Sequence, residues 1–413
     1  MKRRDLRMLW NTNGVNGYSG YSVAMKDILY RLVADGWPIA ISAFHGVQGG
    51  SIDVLYPEEE NPKFKGLKIK HYPQMGDPYG ADALYYHSMD WKAHVAFSMQ
   101  DIWPLDPAFL SKIKVWIPYF PIDKDPLPVN VLDKLRYAYK GITFSKFGHD
   151  LLEKSDYVST LIIEGTDVDI FKPVDQKEAR AGMGLPQDAF LFSMVAANKE
   201  NPPRKGFQEI LEGFKLFHDK HPEAAIIFSV QQQAPTGFPI KQFAQHLGVA
   251  DRLFFVEDYQ AMFKPSSAVI RQLFNAADCH LNVSQTEGFG LTIIEAQACG
   301  KPAIVQDCQS MPELIIEGKT GFKAKTKSKR FTADLSYVNV ADPESIYECM
   351  EKAYALVKAN PEQVAKDCRD WVVENYNIDT IVQTKWIPFL TDLQEELMPL
   401  PATPIQKGGI SIK

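Results

Sequence analysis

The sequence predicts two doubly wound α/β domains, and three observations carry that prediction. The chain has 413 residues, enough for about two domains at roughly 100–200 residues each. Short apolar runs alternate with amphipathic stretches in both halves, the order that builds parallel sheets. A polar stretch from Pro173 to Gln187, punctuated by Gly182, Gly184 and Pro186, separates the halves, and the pattern starts afresh after it. A composition of 45% hydrophobic, 12% aromatic and 23% charged residues excludes a disordered, collagenous or coiled-coil chain.

Taken in order, Leu6 to Trp10 reads as a strand, Ser22 to Ala34 as a helix ended by Gly36, and Pro38 to Phe44 as the next strand. Ala83 to Tyr86, Val115 to Pro118, Gly141 to Phe144 and Val158 to Ile163 are apolar runs of strand length. In the second half, strands are expected at Ala189 to Ala197, Ala224 to Val230, Arg252 to Val256, Cys279 to Ser284 and Pro302 to Gln306. Helices are expected over Phe207 to His218, over Ser267 to Ala277 and from Leu291 onward. Three more follow over Ser345 to Leu356, Pro361 to Asn375 and Asp379 to Leu397. The expected division is 1–173 for the first domain and 174–375 for the second. Residues 376–400 form a helical segment packing back on the first, and 401–413, with Pro404, Gly408 and Gly409, a mobile tail.

The charge sum, 45 − 51 = −6, provides no global cationic field, so any polyanion site has to be local. Lys2, Arg3, Arg4 and Arg7 lead into Asn11, Asn13 and Gly14 rather than into a signal-peptide core. No stretch approaches the roughly 20 apolar residues of a membrane span. The five cysteines, Cys279, Cys299, Cys308, Cys349 and Cys368, are odd in number and form no C-x-x-C pair. A cytoplasmic protein without stable membrane insertion is the expectation. Neither cysteines nor histidines show metal-ligand spacing, so no metal is expected.

The segment from Ser284 to Pro302 runs from a strand through a Gly-flanked turn into a helix. The first amides of that helix, at Gly290, Leu291 and Thr292, offer free N–H donors and a positive dipole end to a phosphate. Glu287 lies in the turn and Glu295 further along the helix, placed to grip separate hydroxyls of one extended ligand. A strand-helix junction packed by glycines, with two solvated carboxylates, is the competing reading. Asn198 to Phe207 is a second polar turn between strand and helix; its cations Arg204 and Lys205 suit an anion, since cations at a helix start otherwise oppose the dipole. Between the first strand and helix, Asn13 to Ser22 holds Gly14, Gly17 and Gly20, with Tyr18 and Ser19 between them.

These pieces together resemble the family 4 retaining glycosyltransferases. Glu287 to Glu295 looks like the family's E-x7-E signature. Met311 to Ile315 with Gly318 to Phe322 is similar to its P-E-L-I…G-x-T-G stretch, and Gly165 to Pro173 to its G-V-D-x-x-x-F-x-P junction. The resemblance spans about Gly165 to Phe322 and implies a GT-B architecture, two Rossmann-like domains facing across a cleft. It implies a nucleotide-diphosphate sugar as donor substrate, no required cofactor, and retention by same-face attack assisted by the leaving diphosphate. Glu287 is then expected to hold the donor sugar, helped by Phe289 and Gly290, and Glu295 to hold the ribose. The amides near Leu291 and Thr292 would face the diphosphate, with Lys205 and Arg204 balancing its charge. Asn198 stands near the family's usual Arg position, and Gly17 and Gly20 match its first Gly-rich loop.

The sequence departs from the family where a His normally ends a strand near the sugar. Val115 to Asp123 has none, so Asp123 or Tyr119 is expected there, with His45 and His87 as other occupants. Ser145-Lys146-Phe147 resembles a stretch passing the cleft. Lys323, Lys325, Lys327, Lys329 and Arg330 read as a solvated loop or as a contact for an anionic acceptor: DNA, a lipid phosphate or a sugar phosphate. Pocket residues around Val256-Glu257-Asp258 would select the donor. Transfer to modified bases in DNA, or nucleotide-sugar or partner binding without catalysis, are the alternatives. A Rossmann oxidoreductase is disfavoured, because no G-x-G-x-x-G follows the first strand.

Overall fold

The computed structural model describes residues 4–17, 19–232, 234–256 and 266–399. Tyr18, Glu257, Asp258 and the tail 401–413 lie outside them. The first sheet has eight strands: β1 (Met8–Asn13), β2 (Ile39–His45), β3 (Ile52–Leu55), β4 (Lys68–Tyr72), β5 (Val95–Met99), β6 (Trp116–Phe120), β7 (Gly141–Thr143) and β8 (Ser159–Leu161). Their order is β3-β4-β2-β1-β5-β6-β7-β8, parallel except for β3 against β4. The second sheet holds β9 (Leu191–Val195), β10 (Ala225–Ser229), β11 (Leu253–Phe255), β12 (Cys279–Asn282), β13 (Ala303–Gln306) and β14 (Gly321–Ala324). It is parallel throughout in the order β11-β10-β9-β12-β13-β14. Both sheets reverse direction of strand order at a central strand, the position where open α/β sheets bind ligands.

Burial on both faces explains the apolar runs. β5 and β6 are wholly buried, and Trp10 on β1 stacks on Phe97 of β5 at 4.3 Å between ring centroids. Helix α1 (Gly20–Ala34) is capped by Ser19, whose hydroxyl accepts from the Ser22 amide at 3.1 Å.

Two readings from the sequence are corrected. Ala83 to Tyr86 is not a strand but part of helix α2 (Ala81–Trp91), which buries Ala81, Leu84 and His87 at helical spacing and leaves Tyr86 exposed. The central strand lies just beyond, at β5. The basic run is not a loop either. Lys323 belongs to β14, while Lys327, Lys329 and Arg330 belong to β15 (Thr326–Phe331), which pairs antiparallel with β16 (Tyr337–Ala341). The stretch between the two halves is also more ordered than its glycines suggest: it contains the helix Gln176–Gly182, capped by Asp175.

Several ties hold the two sheets in one arrangement. Arg31 of α1 donates to Asp167 at 2.7 Å and also bonds Asp379. Asp167 in turn accepts from the Asp169 and Ile170 amides, which shapes the turn of the junction motif. Arg369 clamps that motif to the second half through the carbonyls of Val168, Phe171 and Ala298, at 2.6–2.9 Å. Glu313 accepts from the Lys146 and Phe147 amides, so the P-E-L-I segment caps a helix of the opposite domain. After the helix Pro361–Asn375, the chain runs through Ile378–Ile381 and a π turn at Val382–Trp386 into Ile387–Leu397. There Trp386 meets Trp10 and Tyr119 edge-on, and Gln394 accepts from the Asp5 and Leu6 amides. This last segment therefore lies against the first sheet.

Candidate functional site

The C-terminal ends of β5 and β6 face those of β9 and β12 across a cavity of about 580 Å³, within the roughly 300–1,000 Å³ of small-molecule sites. One wall is the turn Gln285–Gly290. Gly290 caps the helix Leu291–Ala298 with φ +117°, a conformation that side chains rarely adopt. Gly290, Leu291 and Thr292 all line the cavity, so the open helix start faces it. Thr292 is set by a buried relay: His280 bridges Ser193 of β9 and the Thr292 hydroxyl, each at 3.1 Å. Burial pushes the His280 imidazole down to about 3, so the relay is neutral. Ser310 donates to the Glu287 and Phe289 carbonyls at 2.8 and 2.9 Å, fixing the turn.

Glu287 and Lys205 form an ion pair at 2.6 Å, both side chains less than one-fifth exposed. Burial would raise the Glu287 carboxyl, but Lys205 and Arg204 outweigh it and hold the group below its ordinary range. Burial lowers the Lys205 ammonium, with Glu287 opposing the shift. Arg204 donates to the Thr286 carbonyl at 2.8 Å and pairs with Glu200 at 3.4 Å. Glu287, Lys205, Arg204, Phe289 and Gly20 all reach the cavity.

Three other candidates do not. Asn198 is spent on structure: its amide donates to the Gln231 and Phe238 carbonyls and accepts from the Phe238 amide. Gly17 turns back on Gly14 through a 2.9 Å backbone bond, away from the cavity lining. Glu295 is buried outside the lining, near Lys26 and Asp27 of α1; burial pushes its carboxyl up to about 8.

Of the four residues named for the subsite where the family carries a His, Asp123 is the one on the opposite wall of the cavity. Asp123, just past β6, lines the cavity; burial raises its carboxyl, with Lys124, Arg204 and Thr286 opposing the shift. Tyr119 is buried against Phe144 and Trp386 instead. His87 bonds Ser42 and stacks on Tyr72 within the first domain, and His45 is outside the lining. Sequence reasoning missed Tyr21, Asp101, Trp103 and Lys124 as cavity residues, and with them Glu164, which immediately precedes the junction motif. The signal for Asp101 was the strand β5 that ends two residues before it. Of the basic run, Arg330 alone lines the cavity; it donates to Gln285 at 3.0 Å. Among the described residues, no group of three or more His, Cys, Asp or Glu is placed to hold a metal, and no helix is long and apolar enough to cross a membrane.

Glu164 supplies a pH signature. Burial, reinforced by Glu287 and Glu295, pushes its carboxyl up to about 8 from an ordinary 4.5. The folded state therefore prefers Glu164 protonated, a contribution that is complete below pH 4.5 and lost as pH rises through 8. The melting temperature is expected to fall between pH 5 and pH 9. Glu164→Gln should flatten that decline by about 1 kcal/mol or more, roughly 1 °C or more for a chain of this length, which calorimetry across that range will measure.

Residues 175–345 match the family model described as glycosyl transferases group 1. D-inositol 3-phosphate glycosyltransferases of Mycobacterium tuberculosis and Mycobacterium bovis are 31% identical over 163 residues, 38% of this chain. The match covers 31% of the length of those relatives. Sucrose-phosphate synthase from Thermosynechococcus elongatus superposes with a TM-score of 0.72 at 16% identity, over 94% of this chain and 99% of that one. Anabaena HepE, solved with UDP-glucose, gives 0.66 at 15% identity, over 93% and 99%. The two facing α/β domains thus have the GT-B fold, and residues 175–345 form a glycosyltransferase group 1 domain.

Proposed function

We propose that the chain is a retaining glycosyltransferase that moves a sugar from a nucleotide-diphosphate sugar to an acceptor entering from the first domain. The observation that carries this reading is the Glu287–Lys205 pair at 2.6 Å, set beside Arg204 and the open helix start at Gly290. A donor laid across this wall puts its diphosphate against the helix amides, Lys205 and Arg204, and its sugar hydroxyls against Glu287. As the glycosidic bond lengthens, negative charge grows on the diphosphate, where the two cations and the helix dipole oppose it. The acceptor hydroxyl then attacks the face being vacated, and its proton passes to the departing phosphate oxygen. Glu295 is the proposed ribose ligand, which requires the nucleoside to extend beyond the present cavity wall toward α1. HepE, solved with UDP-glucose, supports a donor of this class.

The test is a panel of UDP-, GDP-, ADP- and TDP-sugars, read by thermal shift and by mass spectrometry of released sugar. One nucleotide sugar is expected to raise the melting temperature, by an increment equivalent to about 2.7 kcal/mol at 100 times its Kd, and to be hydrolysed slowly. No shift and no release with any of the four classes overturns the proposal.

A further inference from the structure

The cavity wall belonging to the first domain has a chemistry of its own. Trp103, in the loop after β5, lines the cavity with nearly half of its surface exposed (47%). Its ring is steadied by Tyr79 at 6.2 Å, and the loop base is held by Gln100, which donates to the Tyr79 carbonyl at 3.0 Å. Beside it stand two carboxylates, Asp101 and Asp123. The Tyr21 hydroxyl donates to Asp101 at 3.2 Å. Of the cations on this side, Lys124 is paired with Asp334, while Arg330 donates to the neutral amide oxygen of Gln285.

From this wall we infer that the acceptor is a neutral saccharide or glycoside, one ring face lying on Trp103 and its hydroxyls donating to Asp101 and Asp123. The inference rests on the glycosyltransferase reading and names its acceptor class. An exposed indole at the mouth of a polar cavity offers an apolar, electron-rich face to the C–H groups of a pyranose. Carboxylates accept from sugar hydroxyls, which bring no charge of their own to be met. A phosphorylated acceptor seated on Trp103 would bring its dianion against Asp101 and Asp123, with Lys124 already paired with Asp334, and like charges brought together are strongly disfavoured. The basic run is thereby separated from acceptor recognition: its one cavity residue, Arg330, braces the turn through Gln285.

Saturation-transfer NMR on the full chain, with methyl glucoside, galactoside, mannoside and N-acetylglucosaminide as probes, tests the subsite without any donor. At least one methyl glycoside is expected to bind the wild type and to lose binding ten-fold or more in Trp103→Ala, whose exposed position leaves melting intact. Asp101→Asn should weaken the same probe several-fold. Three outcomes overturn the inference: no methyl glycoside binds; binding survives Trp103→Ala but is lost in Glu287→Gln, which puts the sugar in the donor half; or glucose 6-phosphate binds more tightly and depends on Arg330. Glycoside binding that depends on Trp103, in a protein that turns over no nucleotide sugar, keeps the subsite and overturns the transfer reading instead.

Discussion

Lys205→Met is expected to lower kcat by about 10²–10³-fold with the nucleotide sugar found by the panel, the size of loss seen when one preorganised donor to a developing charge is removed. The loss should fall on kcat more than on KM, because the diphosphate gains charge only as the bond breaks. A second effect travels with it. Lys205 and Glu287 are both largely buried, so removing the cation strands a carboxylate and costs up to about 3 kcal/mol of stability. The double variant Lys205→Met/Glu287→Gln separates the two: its melting temperature should return toward wild type while activity stays lost. Steady-state kinetics and melting curves on the three variants check this. A Lys205→Met enzyme within two-fold of wild-type kcat would remove Lys205 from the mechanism.

Gly288→Ala is expected to reduce activity about 100-fold while the protein still folds. A Cβ at Gly288 would stand 2.5 Å from Cβ of Pro121 and 3.3 Å from Cε2 of Phe144. Pro121 follows β6 of the first domain, and its ring cannot rotate away. The methyl therefore either wedges the two walls apart or displaces Glu287, next to it in the turn. Overpacking of this kind costs about 1–3 kcal/mol, and a 1 Å misplacement of reacting groups costs about 10²-fold in rate. Kinetics beside a melting curve separate the two costs. Full activity in Gly288→Ala would show that this close approach is not the working geometry.

The second half was legible nearly element by element. Phe207–His218 and Pro361–Asn375 match their expected limits, and the expected strands contain β9 to β13. Those runs are bounded by clear turn residues, and their helices carry strong one-sided patterns. The first half was harder to read because a four-residue apolar run such as Ala83 to Tyr86 has no period of its own. β3 and β4 alternate buried and exposed positions only weakly, and β14 and the β15–β16 hairpin are short or charged on their outer face. Their pairing comes from partners remote in sequence.

The same division runs through the site. By itself, the sequence determined the alternating order of strands and helices, the Gly-flanked turn before Leu291, and the local grouping of Glu287 with a helix start. It likewise set Arg204 and Lys205 in a turn after a strand. All of these depend on neighbours a few residues apart, where spacing and backbone chemistry act directly. Only the tertiary structure decided that Lys205 meets Glu287 across 82 positions, that Asn198 is a structural amide, and that Glu295 stands off the cavity wall. It alone brought Tyr21, Asp101, Trp103, Asp123 and Glu164 onto one surface. The reason is physical: parallel strands are joined by long crossovers, so residues that meet at the strand ends come from distant stretches, and no local pattern marks them as neighbours.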